Sequence, residues 1–218
     1  MLTQSEENHL KEIYHLSIES NKPVSTNAIA DQLNTKAASV TDMIQKLANK
    51  GLTSYYKYKG VRLTDTGLKE ALKIVRKHRL WEVFLVNKLK FNWDEVHQIA
   101  EQLEHIQSPE LIEKLDSYLL FPQFDPHGDP IPNADGVMIE KAQLVLSDAT
   151  IGTNGIITNV KDGNAVFLKY LEKIGAFIGA SISVLDIIEF DGSLEISIND
   201  KQGQYISKEA AQNILIAE

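Results

Sequence analysis

Cysteine is absent from all 218 residues, which excludes disulfide bridges, thiolate metal sites and cysteine nucleophiles. Long apolar runs are also missing. No stretch approaches the roughly 20 residues of a membrane helix, and the first 20 residues carry Glu6, Glu7, Glu12 and Glu19 where a secretory signal would be apolar. The expectation is a cytoplasmic protein without a membrane partner. The chain shows no Gly-rich phosphate loop, no nucleophile elbow and no spare general base with an obvious cleft, which speaks against a metallohydrolase. Proline is scarce and unevenly placed: four of the six lie in residues 121–136, FPQFDPHGDPIPNADG, which reads as an extended linker.

Charge is short of one sign in each part. Residues 1–80 hold 13 Lys/Arg against 8 Asp/Glu, whereas residues 81–218 hold 9 against 22, for a net −8. A basic segment ahead of an acidic remainder suits a nucleic-acid reader joined to a cation-sensing part. With 43% hydrophobic residues the chain can build one large domain or two to three small ones.

Apolar spacing predicts a helix over 3–20, facing inward with Leu10, Ile13 and Leu16 and broken by Asn21-Lys22-Pro23. Ser25 or Thr26 can cap a short helix over 27–33. A second helix over 37–50 carries Val40, Met43, Ile44 and Leu47 and stops at Gly51. Two strands over 52–58 and 61–64 then enclose a tight turn at Lys59-Gly60. This is the pattern of a winged helix-turn-helix. Lys36, Ser39, Thr41, Asp42, Gln45 and Lys46 lie on its outward face, and Lys57, Lys59 and Arg62 lie in the wing, as groups that reach phosphates and base edges.

A helix over 65–89 follows, then one over 94–108 and one from Pro109 to 118 or 119. Leu80, Trp81, Phe84, Leu85, Leu111, Leu115 and Leu119 give these helices more apolar surface than one chain hides, which points to a two-fold dimer. In DEVHQIAEQLEHIQS, His97, Glu101, Glu104 and His105 fall on one side of the helix, and in RKHRLWEVF His78 and Glu82 share a face. Imidazoles and carboxylates without sulfur are the ligands of a hard first-row divalent ion. Asp125 and His127 in the linker stand on one side of an extended segment and can add to such a site. After residue 142 the texture changes to short β-runs over 151–160, 181–190, 194–198 and 204–206 around a helix over 165–174, as in a small SH3-like barrel. The expected organisation is mainly α with a small β part. It comprises a winged helix-turn-helix over 1–64, a helical dimerisation and metal-binding domain over 65–141 that includes the linker, and an SH3-like, FeoA-type barrel over 142–218.

This arrangement, with SEENHLKEIY, RKHRLWE, VHQIAEQLEH and DPHGDPIP, resembles the diphtheria toxin repressor family of metal-dependent repressors of metal uptake, along essentially the whole chain. The resemblance implies a homodimer that binds double-stranded operator DNA when loaded with manganese or ferrous iron at two sites per chain. A regulatory site would use Asn8, Glu101, Glu104 and His105, with His78 approaching. An ancillary site would use His78, Glu82 and His97, joined by Asp125, His127 and Asp162. Thr35, Lys36, Ala38, Ser39, Thr41, Asp42 and Lys59 would meet DNA. Glu101 stands where iron-responsive members have cysteine, which favours manganese. Asn8 replaces the usual acid or thioether, and Lys11 replaces a second acid of the smallest manganese regulators. An iron-dependent repressor and, in another class, a metallohydrolase built on the His/Glu cluster are the alternatives.

Overall fold

The computed structural model describes residues 2–217 except 21, 57–58, 140–141 and 162, so Lys57 and Asp162 lie outside the described residues. The chain forms two compact units. The first comprises Met1–His78, Gln102–Pro109 and Pro132–Val137, and the second Arg79–Glu101, Glu110–Ile131 and Met138–Glu218. Among the described residues no helix is long and apolar enough to cross a membrane.

The first unit contains α1 (Gln4–Ser20), α2 (Thr26–Gln32), α3 (Ala37–Asn49), the hairpin β1 (Thr53–Tyr56) and β2 (Gly60–Leu63), and the start of α4 (Asp65–Asn87). Ser25, not Thr26, caps α2, its hydroxyl accepting from the Ala28 N–H at 3.1 Å. Ile13, Val24, Ile29, Ala30, Val40, Ile44 and Val61 pack into one core, so the helical stripes read from the sequence face each other and the wing closes over them. Val24 bridges Val61 and carries the hairpin against the helices. Gly67, in the first turn of α4, lies so close to Leu52 that a Cβ there would meet its carbonyl oxygen at 1.9 Å.

In the second unit α4 continues, followed by α5 (Val96–Leu103) and α6 (Pro109–Tyr118). The helix expected over 94–108 is much shorter: α5 stops at Leu103, and Glu104 and His105 lie in the turn behind it. The expected apolar outer face also needs correction. Leu80, Trp81, Leu85 and Leu115 are buried within the chain, whereas Leu111, Tyr118, Leu120 and Phe121 are exposed. Six strands form one antiparallel sheet in the order β3-β8-β4-β5-β6-β7: β3 (Leu144–Val145), β4 (Asn154–Val160), β5 (Ser181–Ile187), β6 (Leu194–Ile198), β7 (Lys201–Ile206) and β8 (Ile214–Ala217). Register shifts in the β4–β8, β5–β6 and β6–β7 pairs bend the strands. The sheet lies around a core that includes Leu146, Ile157, Leu168, Leu171, Ile196 and Ile214, with Leu168 and Leu171 supplied by α7 (Ala165–Ile174). Against β4 runs the proline-rich linker: the Val160 N–H donates to the His127 carbonyl at 3.0 Å, and Asn159 Nδ2 to Asp129 Oδ1 at 2.8 Å. Gly128, at φ 90°, passes so near Thr158 that a Cβ would meet its carbonyl at 2.0 Å. Residues 127–129 of the linker are thus seated on the sheet.

Candidate metal centres and nucleic-acid face

In the first unit, Thr35, Lys36, Ala38, Ser39 and Asp42 are exposed around the start of α3, and Lys59 is exposed in the wing turn. Thr41 is half-buried and its hydroxyl donates to the Ala37 carbonyl at 2.9 Å, so it presents a methyl group more readily than a donor. Lys46, expected on the outward face, is tied to the fully buried Glu6 at 3.2 Å, as is Lys50 at 2.7 Å. Burial pushes the Glu6 carboxyl up, but the hydrogen bond from Lys50, the Thr3 N–H and Lys46 outweigh it and hold the pKa at about 2.

A polar cluster forms where α1, α4 and the turn after α5 meet in the same unit. Glu104 is completely buried, and both its oxygens accept from Lys11 Nζ, at 2.7 and 2.9 Å. His78 Nδ1 lies 2.7 Å from Glu104 Oε2. His105 Nδ1 lies 2.5 Å from Glu7 Oε2, and Gln107 Nε2 donates to Glu7 Oε1 at 2.6 Å. A carboxylate on Nδ1 fixes the imidazole with its proton there and leaves Nε2 as a lone pair, the arrangement of a histidine ready to ligate. His105 Nε2 is buried with no hydrogen-bond partner among the described residues, 3.7 Å from Glu104 Oε1. Asn8 Oδ1 is likewise buried and unpartnered. Both are atom types that can ligate a metal. Glu104 fits one less well, because an ammonium already holds both its oxygens. Glu7, which sequence reasoning passed over, is the carboxylate that orients His105; its signal was its place one helical turn before Lys11 on the same face of α1.

The second unit holds a different cluster. One donor atom from each of Glu82, Asp125 and His127 lies within 4.8 Å of the others, and all three residues are buried. His127 Nε2 donates to the Trp93 carbonyl at 2.9 Å, which leaves Nδ1 facing Glu82 Oε2 at 3.7 Å as the atom that can ligate once its proton has left. The ring also stacks on Trp93 at 5.9 Å. Asp125 Oδ1 accepts from the N–H groups of His127 at 2.8 Å and Asp129 at 2.9 Å, and Oδ2 lies 3.6 Å from Arg79. His97 Nδ1 reaches Glu82 at 3.5 Å and its Nε2 reaches Glu101 at 3.6 Å. Burial, then the charges of Asp129 and Glu82, push the Asp125 carboxyl up to about 7. For His127 burial acts downward, but Glu82, helped by Asp125 and the Trp93 carbonyl, holds the imidazolium up to about 9. Three buried groups of opposing charge, each oriented by a second partner, fit a hard divalent ion. Asp129 and Arg79 frame this cluster and were not foreseen. Asp162 lies outside the described residues.

Comparison with known proteins agrees with this fold. Residues 1–61 match the iron-dependent repressor N-terminal DNA-binding domain, residues 64–133 the iron-dependent repressor metal-binding and dimerisation domain, and residues 144–218 the FeoA domain. A helix-turn-helix transcriptional regulator of Methanocaldococcus jannaschii is 37% identical over 118 residues, 54% of this chain and 94% of that one. The diphtheria toxin repressor of Corynebacterium diphtheriae is 26% identical over 229 residues, 100% of this chain and 98% of that one. Among solved structures, a manganese-dependent transcriptional repressor in complex with manganese superposes with a TM-score of 0.87 at 37% identity, covering 97% of this chain and 98% of that one. The chain belongs to the iron-dependent repressor family, whose members are metal-dependent, DNA-binding transcriptional regulators rather than enzymes.

Proposed function

We propose that this member is a manganese-dependent repressor, acting in the cytoplasm as a homodimer on double-stranded operator DNA, with domains at 1–64, 65–141 and 142–218. The observation that carries the choice of ion is the buried set Glu82, Asp125 and His127, made of oxygen and nitrogen donors in a chain without sulfur ligands from cysteine. Glu82, Asp125 and His127 would hold one ion, with His97 and Glu101 beside them and Asp162 as a further donor. Asn8, Glu104, His105 and His78 would hold a second. Manganese supplies a divalent charge that satisfies buried carboxylates which are otherwise protonated or paired with cations. Trp93 and Arg79 keep His127 and Asp125 in place. Thr35, Lys36, Ala38, Ser39, Thr41, Asp42 and Lys59 meet the DNA, and exposed Leu111, Tyr118, Leu120 and Phe121 suit the two-fold contact. The solved relative described as manganese-dependent supports the same ion.

The test uses a duplex selected from random DNA by the manganese-loaded protein. Binding by chelated protein is titrated anaerobically with manganese and with ferrous iron, for wild type and Glu82→Gln. The expectation is tight binding restored at lower free manganese than iron, and lost in the variant. Restoration by iron at the lower concentration replaces the ion. Binding that ignores both metals rejects the proposal.

A further inference from the structure

We propose that Lys11 is a built-in competitor for the Glu104 centre, so that a divalent ion enters there only in exchange for the Lys11 ammonium. This rests on the metal-dependent reading above and goes beyond it. The ammonium donates to both Glu104 oxygens, at 2.7 and 2.9 Å, with the lysine side chain 8% exposed and the carboxylate 0%. A long lysine stem loses rotamer freedom to be held this way, and the buried charge-assisted contacts compensate. The same carboxylate also meets His78 at 2.7 Å, so its remaining acceptor capacity is small. Meanwhile His105 Nε2 and Asn8 Oδ1 are buried and lack hydrogen-bond partners among the described residues. The centre is therefore divided: His105 Nε2 stands unpartnered 3.7 Å from Glu104 Oε1, while the carboxylate is taken by an internal cation. An ammonium and a divalent ion on the same two oxygens would stand within a few ångströms as like charges, so the two states exclude each other.

The consequence is a raised threshold at this centre relative to the Glu82, Asp125 and His127 cluster, where Arg79 stands 3.6 Å from Asp125 Oδ2 whereas Lys11 hydrogen-bonds both Glu104 oxygens. Of two ions per chain, the one at Glu104 binds second. It also alters how α1 is fastened, since Lys11 belongs to α1 and Glu104 to the turn after α5.

The experiment measures manganese binding by calorimetry to chelated full-length wild type and Lys11→Met, which keeps the stem and removes the charge. A buried charge-assisted hydrogen bond contributes about 1.5–3 kcal/mol, so its removal should tighten the weaker of two sites by about tenfold to a hundredfold, or reveal a second ion where wild type binds one. A variant that binds no additional ion, and none more tightly, overturns the proposal. Should Lys11→Met fail to fold, wild type alone decides through acetic anhydride labelling read by mass spectrometry. Lys11 protected in chelator and reactive at saturating manganese supports exchange, and equal labelling in both states overturns it. Wild type that binds no manganese rejects the repressor reading as well, whereas wild type that binds manganese with no effect at Lys11 rejects only this proposal.

Discussion

Raising the pH of metal-free protein should weaken it, and manganese should remove that dependence. Asp125 keeps its proton up to about 7 in the folded chain, against 3.8 when unperturbed, and His127 keeps its proton up to about 9, against 6.5. Both groups bind protons more tightly folded than unfolded. The stability each contributes is full below the unfolded value and is lost as pH rises through the folded one. For Asp125 the window is about 4 to 7, and for His127 about 6.5 to 9. At about 1.4 kcal/mol per pKa unit the separate contributions are about 4 and 3 kcal/mol. The two share one buried cluster and a common partner in Glu82, so the combined loss between pH 5.5 and 8.5 is set at about 3–5 kcal/mol. Urea unfolding in chelator, followed by tryptophan fluorescence, reads this directly because Trp93 stacks on His127. Asp125→Asn should flatten the lower half of the profile. The same protons must leave when an ion binds, so calorimetry in buffers of different ionisation enthalpy should show about two protons released per ion at this cluster at pH 6, and about one at pH 8. Metal-free stability that is flat or rising from pH 5.5 to 8.5, or metal binding without proton release at pH 6, would refute this account.

Two further outcomes follow from the first unit. Glu6→Ala leaves Lys46 and Lys50 to water, which both reach, and should cost about 1–3 kcal/mol in urea unfolding at pH 7; because the Glu6 pKa is held at about 2, the wild-type advantage persists to pH 4.5 and fades below it. Gly67→Ala drives a methyl into the Leu52 carbonyl and should cost about 3 kcal/mol or more, read as a fall in melting temperature or loss of folded protein; an unchanged melting temperature contradicts the close approach.

Elements with a repeating apolar period were legible in the sequence, and so was their capping chemistry. The stripe Val40, Ile44 and Leu47 placed α3 within a residue, and the Gly60 turn placed the hairpin. The two-residue β3, the short α8 (Lys208–Ala211) and β8 have too few residues to show a period; β8 is held by its pairing with β4, and β3 by its pairing with β8. The end of α5 was hidden for another reason. The periodicity of Ile99, Leu103 and Ile106 continues past Leu103, but Glu104 is drawn out of helix by its contacts with Lys11 and His78, residues 93 and 26 positions away. Likewise Leu120 and Phe121, at φ 63° and 56°, adopt left-handed backbone that local propensity assigns to glycine or asparagine. At the candidate sites the His and Glu residues were readable as candidates, because their spacing on a helix is a local property. The groups that orient them, Glu7 on His105 and the Trp93 carbonyl on His127, come from distant segments and needed the fold.

Glu6 and Glu7 are neighbours on one rigid rod, yet they grip different things. Glu6 clamps the last turn of α3 through Lys46 and Lys50, and Glu7 clamps His105 and Gln107. A helix has almost no slack over a single peptide, so a pull on one clamp cannot be absorbed before it reaches the other. Hydrogen bonds tolerate only a few tenths of an ångström before they weaken. The first unit is therefore geared at this point: a small rotation of α1 at the turn that carries His105 would be passed to the last turn of α3, the helix proposed to meet DNA, with the two carboxylates as adjacent teeth.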